Sequence, residues 1–193
     1  MSKNRLEAFS DGVLAIILTI MVLELKVPEG IEWKNITPLL GIFLSYVLSF
    51  IFIIIYWNNH HHLFHAVEQI DAKVMWANAN LLFWLSLLPF VSGFMGENHF
   101  APLPVLLYAI VTFMAGLAYT ILTTFLVKIH HEDSIINKAQ RENKKGEISL
   151  ILYFLAVCIA YFFPKIACGI FVTVAIMWFI PSKKIEEEVK KEA

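Results

Sequence analysis

Two short stretches of this sequence carry side chains capable of chemistry. The first is Arg5-Leu6-Glu7-Ala8-Phe9-Ser10-Asp11, followed in the same run by Thr19 and Glu24. The second is Trp57-Asn58-Asn59-His60-His61-His62-Leu63-Phe64-His65. A guanidinium, carboxylates, a hydroxyl, an indole N–H and imidazoles can build a charge-assisted hydrogen-bond network. Trp57 and His60 are three residues apart and share a helix face; His61 and His65, four apart, could also hold a transition metal. Further ligands for a metal would have to come from His130, His131, Glu132 and Asp133, which no motif fixes, so a polar helix end with interfacial histidines is the preferred reading and no metal is assigned. Haem chemistry needs ligands that converge from different helices, whereas these histidines crowd at 60–65 and 130–131. With no Gly-rich phosphate loop and no nucleophile–base pair in the sequence, an enzyme is not expected.

The elements that must position these groups are membrane spans. Of 193 residues, 59% are hydrophobic and 16% charged, with a mean hydropathy of +0.69. Soluble domains carry roughly 45–50% apolar and about 25% charged residues, so the surplus apolar surface here must face lipid. Six apolar stretches are bounded by charge, proline or turn residues, at about 5–25, 38–57, 75–95, 104–127, 148–163 and 166–180. Pro164 and Lys165 part the last two, which are short for a full crossing. The spacing therefore predicts an all-α polytopic membrane protein of a single domain, with a cytoplasmic connection at 130–147 and a cytoplasmic tail at 183–193. Val13 to Leu25 has the look of a signal-peptide core, but Asp11 interrupts its approach and no small-residue cleavage site follows, so it reads as an uncleaved span.

Lysine and arginine set the orientation. One side would hold Lys3, Arg5, Lys73, Lys128, Lys138, Arg141, Lys144, Lys145, Lys183, Lys184, Lys190 and Lys191, and the other only Lys26, Lys34 and Lys165; twelve and three make up all fifteen. Both termini are expected in the cytoplasm of a cell-membrane protein. The net charge of −1 gives no case for nucleic-acid binding. Cys158 and Cys168 lie in apolar surroundings and make no disulfide framework.

The first span is not a plain anchor. A carboxylate well inside the bilayer costs roughly 2.5–3.5 kcal/mol on insertion scales, a cost met where the group faces protein or water. At 100° per residue, Arg5, Phe9, Gly12, Ile16, Thr19, Ile20 and Leu23 fall within one stripe, while Asp11 lies elsewhere with Ala8, Ala15, Leu18 and Val22. Because small residues admit close helix approach, the Asp11 face is expected to pack inside the protomer, leaving the other stripe for an axis or a neighbour. Arg5 and Asp11, six apart, cannot pair along one helix and need partners elsewhere. The competing reading of Asp11 is a headgroup-depth residue that simply ends the span. Glu24, in the outer third, either draws cations to an outer mouth or caps a solvated helix end.

Arg5, Phe9, Ser10 and Asp11 match the RxxxFSD signature that opens each repeat of the endosomal/lysosomal potassium channels of the transmembrane protein 175 type. Trp57, His60, Leu63 and Phe64 are similar to the W-x-x-H-x-x-L-F arrangement of the same family, and length and topology extend the resemblance over nearly the whole chain. One repeat per chain resembles the prokaryotic members, which assemble as homotetramers. The resemblance implies a potassium-preferring cation channel with the first helix of each subunit lining the pore. It implies Ile16 as the tightest hydrophobic constriction, Thr19 as a pore hydroxyl, and Ile20 and Leu23 as an outer narrowing. Arg5, Phe9, Ser10 and Asp11, with Trp57 and His60, are then implied as the network that holds the pore helix. The expected partners are copies of the chain itself and the lipid bilayer; potassium is the permeant ion and no cofactor is expected. No TVGYG segment occurs, so a carbonyl-cage filter is not the mechanism implied. A secondary transporter, or a proton or cation leak pathway, is the alternative, although midplane polar groups are few: Thr19, Ser45, Ser49, Ser86 and Thr112.

Overall fold

The computed structural model describes residues 2–67, 69–130 and 144–179, and all regular structure among them is helical. Helix α1 is Lys3–Leu23; a short α2 (Trp33–Ile36) and a 3-10 turn (Thr37–Leu39) lead into α3 (Leu40–His65). Next come α4 (Ala72–Ser86), α5 (Leu88–Glu97) and α6 (Pro102–Ile129), then α7 (Lys144–Ile159) and α8 (Pro164–Phe179). Most of the 130–147 connection, Ile180 and the 183–193 tail lie outside the described residues.

Local chemistry explains the boundaries. The Asp71 carboxylate caps α4 by accepting from the Val74 N–H at 2.8 Å. Pro102 and Pro164 open α6 and α8, where the missing N–H costs nothing. The polar run 57–65 is a helix end, as expected: α3 continues to His65, because polarity ends a membrane span and not the helix itself. One apolar stretch differs from the expectation. The third is two segments parted at Leu87, because Pro89 cannot donate to the Leu85 carbonyl and its ring crowds the preceding turn.

Four helical stretches are long and apolar enough to cross a bilayer: Lys3–Leu23, Trp33–His65, Ala72–Glu97 and Pro102–Ile129. α8, with 16 residues, is a shorter apolar helix, and α7, also of 16 residues, opens on the charged run Lys144-Lys145-Gly146-Glu147.

Helix α6 is the central post, packed by α4, α5, α7 and α8. Around it Tyr108 meets Phe171 edge-on at 5.0 Å, and Phe52 of α3 meets Tyr153 of α7 at 5.9 Å. Helix α1 lies at the margin on α3, α4 and α5, burying only the stripe Leu6, Ser10, Leu14, Ile17 and Met21. Helices α3 and α5 approach so closely at Gly41 and Gly96 that no side chain fits between them. A Cβ on Gly96 would stand 2.5 Å from Ser45 Oγ and 2.6 Å from Ile42 Cα. At Gly12 of α1, by contrast, an added Cβ meets no heavy atom within 4 Å.

Gly96→Ala should therefore destabilise the purified protein by about 1–3 kcal/mol, as overpacking does. Gly12→Ala should leave the unfolding of dissociated protomers unchanged or slightly raised, since alanine favours the helix by up to about 1 kcal/mol. Thermal unfolding in detergent checks both.

Candidate functional site

The site grows from the buried side of α1. Ser10 is fully buried; its hydroxyl donates to the Leu6 carbonyl at 2.9 Å and accepts from Asn78 Nδ2 of α4 at 2.9 Å. Asn78 Oδ1 in turn lies 2.8 Å from His60 Nε2 of α3. Because the amide oxygen can only accept, Nε2 carries the imidazole proton, and all donors point one way: His60 to Asn78, Asn78 to Ser10, Ser10 to Leu6. The His60 ring stacks on Phe64 at 4.4 Å, while its Nδ1 is buried with no partner among the described residues. Three helices thus share one polar chain inside an apolar core.

A second set of ties runs along the more exposed flank between α1 and α3. The Trp57 indole donates to Asp11 Oδ1 at 3.0 Å, and His61 Nδ1 pairs with Glu7 Oε1 at 3.1 Å. Trp57 stacks with His61 at 6.4 Å, and the Lys3 ammonium donates to the Val67 carbonyl at 2.9 Å. With Ser10 on α4, these contacts hold the N-terminal half of α1 at several points while its outer half rests on apolar packing.

Some expected residues come together here and others do not. Asp11 and Trp57 are bonded, and His60 reaches Ser10 through Asn78 rather than directly. Arg5 and Phe9 stand outside this chain, with Phe9 58% exposed. The expectation for the Asp11 face is corrected: Ala8, Ala15 and Val22 are exposed and Asp11 only half-buried, while the leucine, isoleucine and methionine stripe with Ser10 faces inward. The larger side chains bury more apolar area than alanines can, so they take the core. Asn78 went unforeseen; its signal was an amide inside the apolar run of α4, where an unpaired polar group is costly.

The opposite stripe of α1 points away from the protomer. Ile16 is 58%, Ile20 44% and Leu23 78% exposed, and Thr19 is exposed with its hydroxyl donating to the Ile16 carbonyl at 2.8 Å. The hydroxyl oxygen still has a free lone-pair direction outward. Beside this stripe, Val13, Ile16, Ile17 and Ile20 form a groove with Ser86, Pro89 and Phe90 at the α4–α5 break, and Glu24 closes it. At the loop beyond, Lys26 pairs with Glu97 at 3.0 Å, and that carboxylate holds the ammonium above its ordinary pKa. His61 and His65 have ring centroids 6.2 Å apart, and His130 Nδ1 lies 2.8 Å from the Leu126 carbonyl; His131, Glu132 and Asp133 fall outside the described residues.

Several apolar crossings, with a first helix clamped on one face and bare on the other, define a multi-pass helical membrane protein. The family model described as endosomal/lysosomal potassium channel TMEM175 matches residues 5–89, the stretch that holds α1, α3 and α4 and hence the whole polar chain. The sequence is 50% identical over 191 residues to a potassium channel of Chryseobacterium sp. (strain P1-3), covering 99% of this chain and 100% of that one. It is 24% identical over 179 residues to the endosomal/lysosomal proton channel TMEM175 of Gallus gallus, covering 84% of this chain and 35% of that protein. The crystal structure of a lysosomal potassium-selective channel TMEM175 homolog from Chamaesiphon minutus matches with a TM-score of 0.76 at 26% identity, over 91% of this chain and 95% of that one. This chain belongs to the TMEM175 family.

Asn78→Leu should strand the buried His60 N–H, while the Ser10 hydroxyl keeps its bond to the Leu6 carbonyl, and should cost about 1–3 kcal/mol. Asn80→Leu, which changes an exposed amide two residues on and on the other side of the helix, should stay within about 0.5 kcal/mol of the parent. Unfolding midpoints of the two variants in the same detergent give the comparison.

Proposed function

We propose that this protein is a potassium-preferring cation channel of the cell membrane, assembled as a homotetramer around the exposed stripe of α1. One observation carries the reading. The face of α1 that bears Ile16, Thr19, Ile20 and Leu23 is bare in the protomer, while the opposite face is held by buried hydrogen bonds. A single helix cannot enclose a water path, so copies of α1 must close it, and one kind of interface repeated around an axis does so. The basic-residue asymmetry supports cytoplasmic termini and an even number of crossings, with α7 and α8 as the last pair of six.

Four copies of Ile16 would ring the axis with branched apolar side chains that have no atom able to replace a hydration shell. Such a ring gates by excluding water. Thr19 lies one turn outward, about 4.5 Å along the axis at a rise of 1.5 Å per residue, and offers hydroxyl oxygens to a partly dehydrated cation. Potassium gives up its water more readily than sodium, which sets the preference without a carbonyl cage. Ile20 and Leu23 narrow the outer end, and Glu24 adds negative charge near it. The ion is the substrate, and no cofactor enters the scheme.

A proton or cation leak is the second reading, supported by the likeness to a relative named as a proton channel. Protein reconstituted in planar bilayers separates the two. The potassium reading expects unitary currents whose reversal potential follows the potassium gradient; a reversal potential that follows the proton gradient alone would favour the second. Ile16→Asn should wet the neck, raise the current and weaken the preference for potassium. Thr19→Val should reduce conductance or selectivity with the neck intact. Both are read from current amplitude and bi-ionic reversal potentials, and variants that conduct and select like the parent would remove α1 from the pore.

A further inference from the structure

Glu24 does not continue the outward stripe of α1. It follows the helix at Leu23, and its carboxylate turns back over α5, where Oε2 lies 3.3 Å from the position a Cβ on Gly93 would occupy. A Cβ at 93 would press on that carboxylate and push it outward by a few tenths of an ångström. Beneath it, Met21, Ser45, Tyr46 and Ser92 close with Glu24 and Gly93 around a small cavity with room for about one water.

The hydroxyls behind the cavity are ordered. Ser49 Oγ donates to Ser92 Oγ at 3.0 Å, which uses the one hydrogen Ser49 has. The Tyr108 hydroxyl, also 3.0 Å from Ser49 Oγ, must then be the donor in that contact. Ser45 Oγ gives its own hydrogen to the Ile42 carbonyl at 2.9 Å. Ser92 is therefore the end of a relay that runs from Tyr108 through Ser49, and its own hydrogen has no acceptor among the described residues although the side chain is 3% exposed. Buried hydroxyl hydrogens seldom stay unused. The space Ser92 lines is the cavity, and the one charged acceptor on its wall is the carboxylate of Glu24, whose side chain is otherwise exposed.

We propose that Ser92 and Gly93 are positioning residues for Glu24: Gly93 leaves the seat open, and Ser92 donates through one water to the carboxylate. The pair pins the negative charge beside the outer end of the α1 stripe, while the Lys26 ammonium is engaged by Glu97 at 3.0 Å. This rests on the channel reading above, because only a pore beside Ile20 and Leu23 gives the charge something to act on. The field of the pinned carboxylate raises the cation concentration at the mouth, an effect that salt screens.

The test measures unitary potassium conductance in planar bilayers at about 10 mM and about 1 M potassium, where the screening length is about 30 Å and about 3 Å. The proteins are the parent, Glu24→Gln, Ser92→Ala, Gly93→Ala, and each of the last two combined with Glu24→Gln. Ser92→Ala and Gly93→Ala should each lower the low-salt conductance about twofold, leave the high-salt value unchanged, and have no added effect once Glu24 is neutral. Gly93→Ala gives the same test should Ser92→Ala fail to assemble. Equal losses with and without the Glu24 charge, losses that persist at high salt, or no loss at all would overturn the placement. A parent that carries no current would overturn the channel reading instead.

Discussion

The amide of Asn78 has to satisfy a histidine on one side and a serine on the other, in a buried place where water cannot substitute. The position of α1 follows from that constraint. Ser10 is at the right height and angle only if Leu6, Leu14, Ile17 and Met21 also face inward, so one hydrogen-bond chain sets the rotation of the whole helix. Once that rotation is set, Ile16, Thr19 and Leu23 must face outward and Asp11 must stand on the flank where the Trp57 indole reaches it. Removing a member costs more than the bond's net worth, because the remaining donors are buried and left unpaired.

The polar chain lies in one half of α1, and the difference between halves has mechanical meaning. The N-terminal half is tied to α3 and α4 through Ser10, Asp11 and Glu7, and to Val67 between them through Lys3. The outer half leans on α5 across a groove, next to the break at Leu87 and Pro89. In a pore built from α1, the constriction at Ile16 would then sit where the clamped half gives way to the freer one. Rigid α3–α5 packing at Gly41 and Gly96 backs the outer half.

Much of this was legible from residue types and spacing, and what was not had physical causes. The separation of the Ile16 stripe from Asp11 follows from helical angle alone, and Asp11 and Trp57 are both members of the network that the family motif implies. The assignment of the inward face was misread because Ala8 and Ala15 suit close packing, whereas burial follows apolar area and so falls to Leu14, Ile17 and Met21. The run from Asn58 to His65 reads as a polar helix end and is one, because backbone hydrogen bonding continues into water where the apolar span stops. The break at Leu87 was written in Pro89, yet hydropathy is blind to it. Asn78 was hidden because nothing in the run sets it apart from Asn80, and its role exists only once α1 and α3 are brought to it.

The central claim is that one face of α1 meets water and ions while the other is sealed in the protomer. Cysteine accessibility under current recording measures this directly. With Cys158 and Cys168 replaced by serine, single Thr19→Cys and Leu23→Cys variants would be compared with Leu14→Cys, Ile17→Cys and Met21→Cys during application of a charged thiol-specific reagent. The account predicts a rapid change of current at 19 and 23 and none at 14, 17 and 21. Modification that follows the inward set, or that falls equally on both, would contradict it.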